Sequence, residues 1–195
     1  MRVVAIAGSL RRESCNHRLL EAAASLSPPG MEVRIMRELG SIPLYDADLE
    51  RDSAGGPLAV RKLREAIAAA DGLLIATPEY NHSFPGVLKN AIDWLSRPGP
   101  VEALNGKPVA IIGASSGQWG TRLAQAALRQ VFYATESRVL PAPALYASAC
   151  ERLFDSDGLL TDQETRDRLG GLLRAFGNWI RLQPPISVYL EASGS

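Results

Sequence analysis

The sequence predicts a doubly wound α/β domain, a parallel sheet of five strands with helices on both faces. Three observations predict it. Short apolar runs bounded by turn residues alternate with helical stripes along the whole chain. The central runs are apolar at consecutive positions, as in strands buried on both faces. Polar loops follow the first, third and fourth runs, which collects chemistry at one end of the sheet.

Val3 to Ala7 is the first run, and it ends in Gly8-Ser9-Leu10-Arg11-Arg12-Glu13-Ser14-Cys15-Asn16. A helix follows with Leu19, Leu20, Ala23, Ala24 and Leu26 as its stripe, stopping before Pro28-Pro29-Gly30. Met31 to Met36 alternates apolar and polar residues, the pattern of an edge strand. Glu38 to Pro57 reads as a long irregular segment, of the kind that serves function or an interface. Its stretch from Ser41 to Glu50, with Tyr45 and Leu49, is expected to lie against a neighbouring subunit. Leu58 to Ala70 is a helix with Leu63, Ala66, Ile67 and Ala70 inside.

The organising stretch is LLIATPEYNHSFPGVLKNAIDWL, Leu73 to Leu95. It passes from a buried strand through a polar loop into a helix whose stripe is Val87, Leu88, Ala91, Ile92 and Leu95, with Pro85 in the first turn. Lys107 to Ala114 is the next strand, and Thr121 to Tyr133 a helix with Leu123, Ala127, Leu128 and Val131 inside. Ser137 to Leu140 is a short fifth strand. Thr161-Asp162-Gln163-Glu164 reads as a capping box opening a last helix, with stripe Leu169, Leu172, Leu173, Phe176 and Ile180. Residues 1–183 form one domain, and 184–195 a tail of unassigned role. In the flavodoxin-like order 2-1-3-4-5, the three loop-bearing strands are neighbours and their loops converge on one crevice.

Among 195 residues, 46% are hydrophobic and 22% charged, as in an ordinary globular domain. A formal net charge of zero gives no reason to expect nucleic acid or an anionic membrane as partner. No apolar run approaches the ~20 residues of a membrane span, and no signal-peptide layout opens the chain, so a cytoplasmic location is expected. Cys15 and Cys150 show neither zinc nor CxxC spacing, and each reads as a free or buried thiol. A disulfide stays open on sequence grounds, with a reducing cytosol arguing against it. His17 and His82 are isolated, and no metal site is expected.

The first loop sets Ser9, Ser14, Asn16 and Arg11 just before a helix. A helix N-terminus offers unpaired N–H groups and positive potential to a phosphate, and a guanidinium adds a charged fork. The loop is neither a Walker A motif nor GxGxxG. Two readings stand for Ser14 and Asn16, phosphate contact or helix cap. The second loop, Thr77-Pro78-Glu79-Tyr80-Asn81, offers backbone groups to the edge of a flat heterocycle, with Tyr80 over the ring or at the core edge. Glu79 there holds the loop or faces solvent. The third loop, from Ser115 through Gly117 to Trp119, allows close backbone approach to a ring, or is a plain strand-to-helix turn. A phosphate site beside a flat-ring site points to a mononucleotide such as FMN.

GSLRxxSxN at residues 8–16, TPEYNHSxPGVLKNAIDW at 77–94 and a strand ending in ASSG at 114–117 resemble the NADPH-dependent FMN reductase family. Within it, the likeness is to bacterial chromate/quinone reductases and related azoreductases. It implies FMN-phosphate contacts at Ser9, Arg11, Ser14 and Asn16. It implies ring contacts at Pro78, Glu79, Tyr80, Asn81, Ser115 and Gly117. It also implies a homodimer or homotetramer with flavin sites near subunit boundaries. The activity expected is ping-pong electron transfer from NADPH or NADH, through bound FMN, to quinones, azo compounds or chromate. The flavin carries that chemistry, so no side chain is assigned as catalytic. The rival is a flavodoxin-type electron carrier, usually strongly acidic, which zero net charge disfavours.

Overall fold

Consecutive residues of a strand face opposite ways, so a strand apolar at every position feeds two cores at once. The computed structural model, which describes residues 1–37, 39–53, 55–98 and 101–183, is built on that division. The strands are β1 (Arg2–Ala7), β2 (Glu32–Met36), β3 (Gly72–Ala76), β4 (Pro108–Ala114), β5 (Arg138–Val139) and β6 (Leu145–Ala147). All pairings are parallel, in the order β2-β1-β3-β4-β5 that the sequence predicts, and β6 also pairs β4. The helices are α1 (Cys15–Ser25), α2 (Ala47–Asp52), α3 (Leu58–Ala68), α4 (Gly86–Leu95), α5 (Arg122–Ala134) and α6 (Gln163–Leu182).

Val4, Ile6, Leu73, Ile75, Val109 and Ile111 share one core with α3, α4 and α5. Val3, Ala5, Ala7, Leu74, Ala76, Ala110, Ile112 and Ala114 share the other with α1 and α6. The second set is mostly alanine toward the carboxyl ends of the strands. Small side chains there let the start of α1 come close to the sheet, which brings Asn16 to the backbone of Ala114.

Two buried cations hold the opposite core together. Arg64 of α3 donates to the carbonyls of Gly55 and Trp94, each at 2.8 Å. Lys107 donates to Ala70 at 2.6 Å and to Ala68 at 3.3 Å, placing its ammonium at the carboxyl end of α3 and just past it. A positive charge there complements the helix dipole. Burial nevertheless pushes the Lys107 ammonium down to about 8, against a smaller upward pull from Asp71.

The structure corrects several expectations. The fifth strand is split: β5 pairs Pro108 and Val109, while β6 pairs Ile112 to Ala114 farther along the same edge of β4. Pro141 and Pro143 lie between the two pieces and have no N–H to give a ladder. The segment 38–57 contains the helix α2, capped by Asp46, whose carboxylate accepts from Asp48 N. Leu123 is half exposed rather than buried, because the inward stripe of α5 is Ala124, Leu128 and Phe132. Asp162, not Thr161, caps α6 by accepting from Thr165 N at 2.8 Å, and that bond holds its carboxyl below the usual range. In α4, Asn90 and Trp94 are buried beside the expected stripe. Both donate to the Pro43 carbonyl at 2.8 Å, and Asn90 accepts from Tyr45 N at 2.8 Å. Tyr45 sets its ring edge on Trp94 at 5.0 Å, so this part of the 41–50 stretch is anchored on its own chain, while Leu44 stays exposed. The tail from Pro184 onward lies outside the described residues. Among the described residues no helix is long and apolar enough to cross a membrane.

Candidate functional site

The loops after β1, β3 and β4 meet at the carboxyl ends of adjacent strands, where β1 and β3 mark the reversal of winding. They enclose a shallow crevice of about 90 Å³. It is lined by Ser9, Arg11, Ser14 and Asn16 on one side, and by Pro78, Glu79, Tyr80 and Ser115 on the other. Eight of the ten residues expected at the site therefore converge, by that lining. Asn81 and Gly117 do not line it.

The first loop is a helix entry held in place from below. Ser14 is the N-cap of α1, its Oγ accepting from Asn16 N at 3.2 Å, which leaves the hydroxyl proton to donate. Ser9 is buried, accepts from Arg11 N at 3.4 Å, and receives His17 Nε2 at 2.9 Å on its carbonyl. The Asn16 amide makes a two-way pair with Ala114, donating to its carbonyl and accepting from its N–H, each at 2.9 Å. This pair fastens α1 to β4 and uses one of the two amide hydrogens. The Arg11 guanidinium, by contrast, has no partner among the described residues and is exposed. A charged fork, two serine hydroxyls and the start of α1 thus face one hollow, which is the donor set a phosphate requires.

The second loop is more ordered than a polar run suggests. Tyr80 and Ser83 exchange both backbone hydrogen bonds, at 2.9 and 3.0 Å. Asn81 (φ 50°) and His82 (φ 63°) form the turn between them. Positive φ at both central residues is the type I′ pattern, and here neither is glycine. Glu79 explains how the loop is held. Its Oε2 accepts from Leu123 N at 2.9 Å and Ala124 N at 3.0 Å, so a carboxylate from the β3 loop caps the first turn of α5. Its Oε1 lies 3.7 Å from His82 Nδ1. Gly113 lets these parts meet, since a Cβ there would collide with the Thr77 carbonyl and the Thr121 hydroxyl.

In the third loop two backbone donors are already bonded. Ser115 N donates to the Ala147 carbonyl at 2.9 Å, and Gly117 N donates to Ser115 Oγ at 3.2 Å. The N–H groups of Ser116 and Glu79, which line the crevice, are without a bond among the described residues, as are those of Gln118 and Trp119. Tyr80 and Trp119 are exposed near these loops.

Five further lining residues were not among those expected: Cys15, Ala114, Ser116, Cys150 and Glu151. The default reading of each cysteine as a free or buried thiol gives way to the alternative left open, a disulfide between them, with a Cα–Cα distance of 6.2 Å across 135 positions of sequence. Cys15 sits within the first motif, between two residues already singled out. Cys150 had no local signal, because its place depends on β6. Larger hollows exist, of about 480 Å³ between the ends of α4 and α5 and about 460 Å³ beside Gly30 and α6, but neither gathers the strand-end loops.

Residues 1–151 match the family model described as NADPH-dependent FMN reductase. The chain is 45% identical over 181 residues to an NAD(P)H-dependent FMN reductase of Pseudomonas aeruginosa, covering 93% of this chain and 96% of that one. It is 42% identical over 182 residues to a quinone reductase of Escherichia coli strain K12, covering 93% and 96%. Among solved structures it is similar to a flavoenzyme NAD(P)H:(acceptor) oxidoreductase of Paracoccus denitrificans, with a TM-score of 0.84, 36% identity, and coverage of 93% and 98%.

Proposed function

The chain belongs to the NADPH-dependent FMN reductase family, and from that premise we propose how its crevice performs the reaction. The protein is an FMN- and NAD(P)H-dependent oxidoreductase. Arg11, the Ser9 and Ser14 hydroxyls and the start of α1 hold the FMN phosphate. Pro78, Tyr80 and the unbonded N–H groups of Glu79 and Ser116 would hold the ring. FMN, when bound, would supply hydride and electron transfer between NAD(P)H and an acceptor.

The residues of the chain bind and orient. The unbonded N–H groups of Glu79 and Ser116 would stabilise negative charge on a bound ring. No side chain is assigned a proton to move; Glu79, one of two carboxylates lining the crevice, is committed to capping α5. The crevice is shallow and open to one side, so donor and acceptor occupy it in turn, which is a ping-pong order. The acceptor is a quinone, and azo compounds and chromate are reduced at the same exposed ring face. Exposed Leu10, Leu44, Tyr80 and Trp119 supply apolar surface for a second copy of the chain, giving a homodimer or homotetramer.

One observation carries this reading: an unpartnered guanidinium beside a serine-capped helix start, at the convergence of three strand-end loops. The test is the absorption spectrum of the purified protein together with steady-state NAD(P)H oxidation by benzoquinone. Near-stoichiometric flavin bands, parallel double-reciprocal lines and a multimer in light scattering are expected. A protein that reaches full activity without bound flavin would overturn the reading.

A further inference from the structure

The Cys15–Cys150 bridge joins the two walls of the crevice. Cys15 is the first residue of α1, directly after the Ser14 cap. Cys150 opens a short turn of helix, Cys150–Arg152, that is tied to the third loop: Cys150 N donates to the Ser115 carbonyl at 3.0 Å, and Ala149 N to the Gly117 carbonyl at 3.3 Å. The chain enters that turn through Ala149 in a left-handed conformation, φ 45°, which a non-glycine residue holds only where its surroundings impose it. Both cysteines line the hollow that receives the cofactor. The bridge therefore spans from the phosphate loop to the loop beside the ring.

From this placement we propose that Cys15 and Cys150 are a reversible thiol pair whose oxidation state sets how firmly the protein holds FMN. This rests on the assignment of the phosphate to the start of α1. Two effects act in one direction. As a disulfide, the pair fixes the separation of the two walls, and FMN cannot leave by their parting. As a dithiol, Cys15 stands at a helix N-terminus, where a thiolate is favoured. That thiolate competes with the phosphate for the same positive potential. The disulfide is neutral and does not compete.

The chemistry is self-contained apart from a peroxide. The Cys15 thiolate attacks the terminal peroxide oxygen, the O–O bond breaks, and an alcohol leaves, with a sulfenic acid formed on Cys15. The Cys150 sulfur then attacks the Cys15 sulfur, the S–S bond forms and water leaves. Two thiols and one hydroperoxide thus yield one disulfide, one alcohol and one water, with two electrons passing to the peroxide. A dithiol returns two electrons and two protons by thiol–disulfide exchange.

The test uses the wild-type holoprotein in both states, so it does not depend on a variant folding. One sample is treated with hydrogen peroxide and one with dithiothreitol, and thiol titration and mass spectrometry confirm the state of each. FMN release on dilution is followed by the recovery of flavin fluorescence. The disulfide form is expected to release FMN at least about fivefold more slowly, the lower end of ordinary coupling between sites. A variant with both Cys15→Ser and Cys150→Ser is expected to be indifferent to peroxide. Equal release from verified oxidised and reduced samples, or faster release from the oxidised one, overturns the inference while leaving the cofactor reading intact. Thiols that peroxide never converts to the bridge overturn it as well. A protein that binds FMN in neither state overturns the phosphate assignment and the inference with it.

Discussion

Glu79 offers the sharpest test of the division of labour at the crevice. Its carboxylate accepts two backbone N–H groups from the first turn of α5 and is largely shielded from solvent. Removing an N-terminal cap costs about 1 kcal/mol, within a range of roughly 0.5–2. A negative charge at a helix start adds roughly 0.3–1 kcal/mol. Glu79→Ala loses both contributions and strands two N–H groups, a loss of about 2 kcal/mol. Glu79→Gln keeps an oxygen able to accept and loses chiefly the charge, about 0.5–1 kcal/mol. At about 2–4 °C per kcal/mol for a chain of this size, melting should fall by roughly 4–8 °C for alanine and about 1–4 °C for glutamine. A proton-transfer group behaves differently, since its loss costs on the order of 10²–10⁴-fold in turnover with the fold intact. The assay pairs thermal unfolding with single-turnover reduction of the bound flavin by NADPH. Glu79→Gln should stay within about tenfold of wild type in that rate. A variant that melts normally, keeps its flavin and is reduced on the order of a thousandfold more slowly would refute the reasoning.

Three other perturbations probe separate parts of the structure. Arg11→Ala should weaken FMN binding by about 1.5–3 kcal/mol, the worth of a charged hydrogen bond, and leave riboflavin affinity nearly unchanged; equal losses in titrations of both would contradict a phosphate contact. Asn81→Pro should lower bound FMN per subunit, since proline fixes φ near −65° where the turn holds 50°, whereas Asn81→Gly should retain it; normal flavin content in the proline variant would count against the turn as the element that positions this loop. The Lys107 pKa is lowered to about 8 from 10.5, so the folded protein carries an energetic burden from the charge below pH 8, and sheds it as pH rises toward 10.5. Urea denaturation of wild type should therefore gain up to about 3 kcal/mol on Lys107→Met between those limits, and a constant difference would argue that the ammonium is not desolvated.

The sequence by itself determined the sheet, its order and the end at which chemistry collects. The strands, helices and loops follow from local periodicity and turn residues, as Leu73 to Leu95 displays within one stretch, and the order follows from the doubly wound class that their alternation defines. It also singled out Ser9, Arg11 and Ser14 as candidates, because a polar loop before a helix either caps it or offers donors to an anion. The tertiary structure decided which polar atoms stay available. Asn16 and Glu79 look alike as loop residues with hydrogen-bonding side chains, yet one is bonded to Ala114 and the other to α5, partners 98 and about 45 positions away. The Cys15–Cys150 pair, the split edge strand and the outward-facing Leu123 belong with them. Each depends on how separately formed elements dock, and a pairing energy between distant segments leaves no periodic trace in either segment alone.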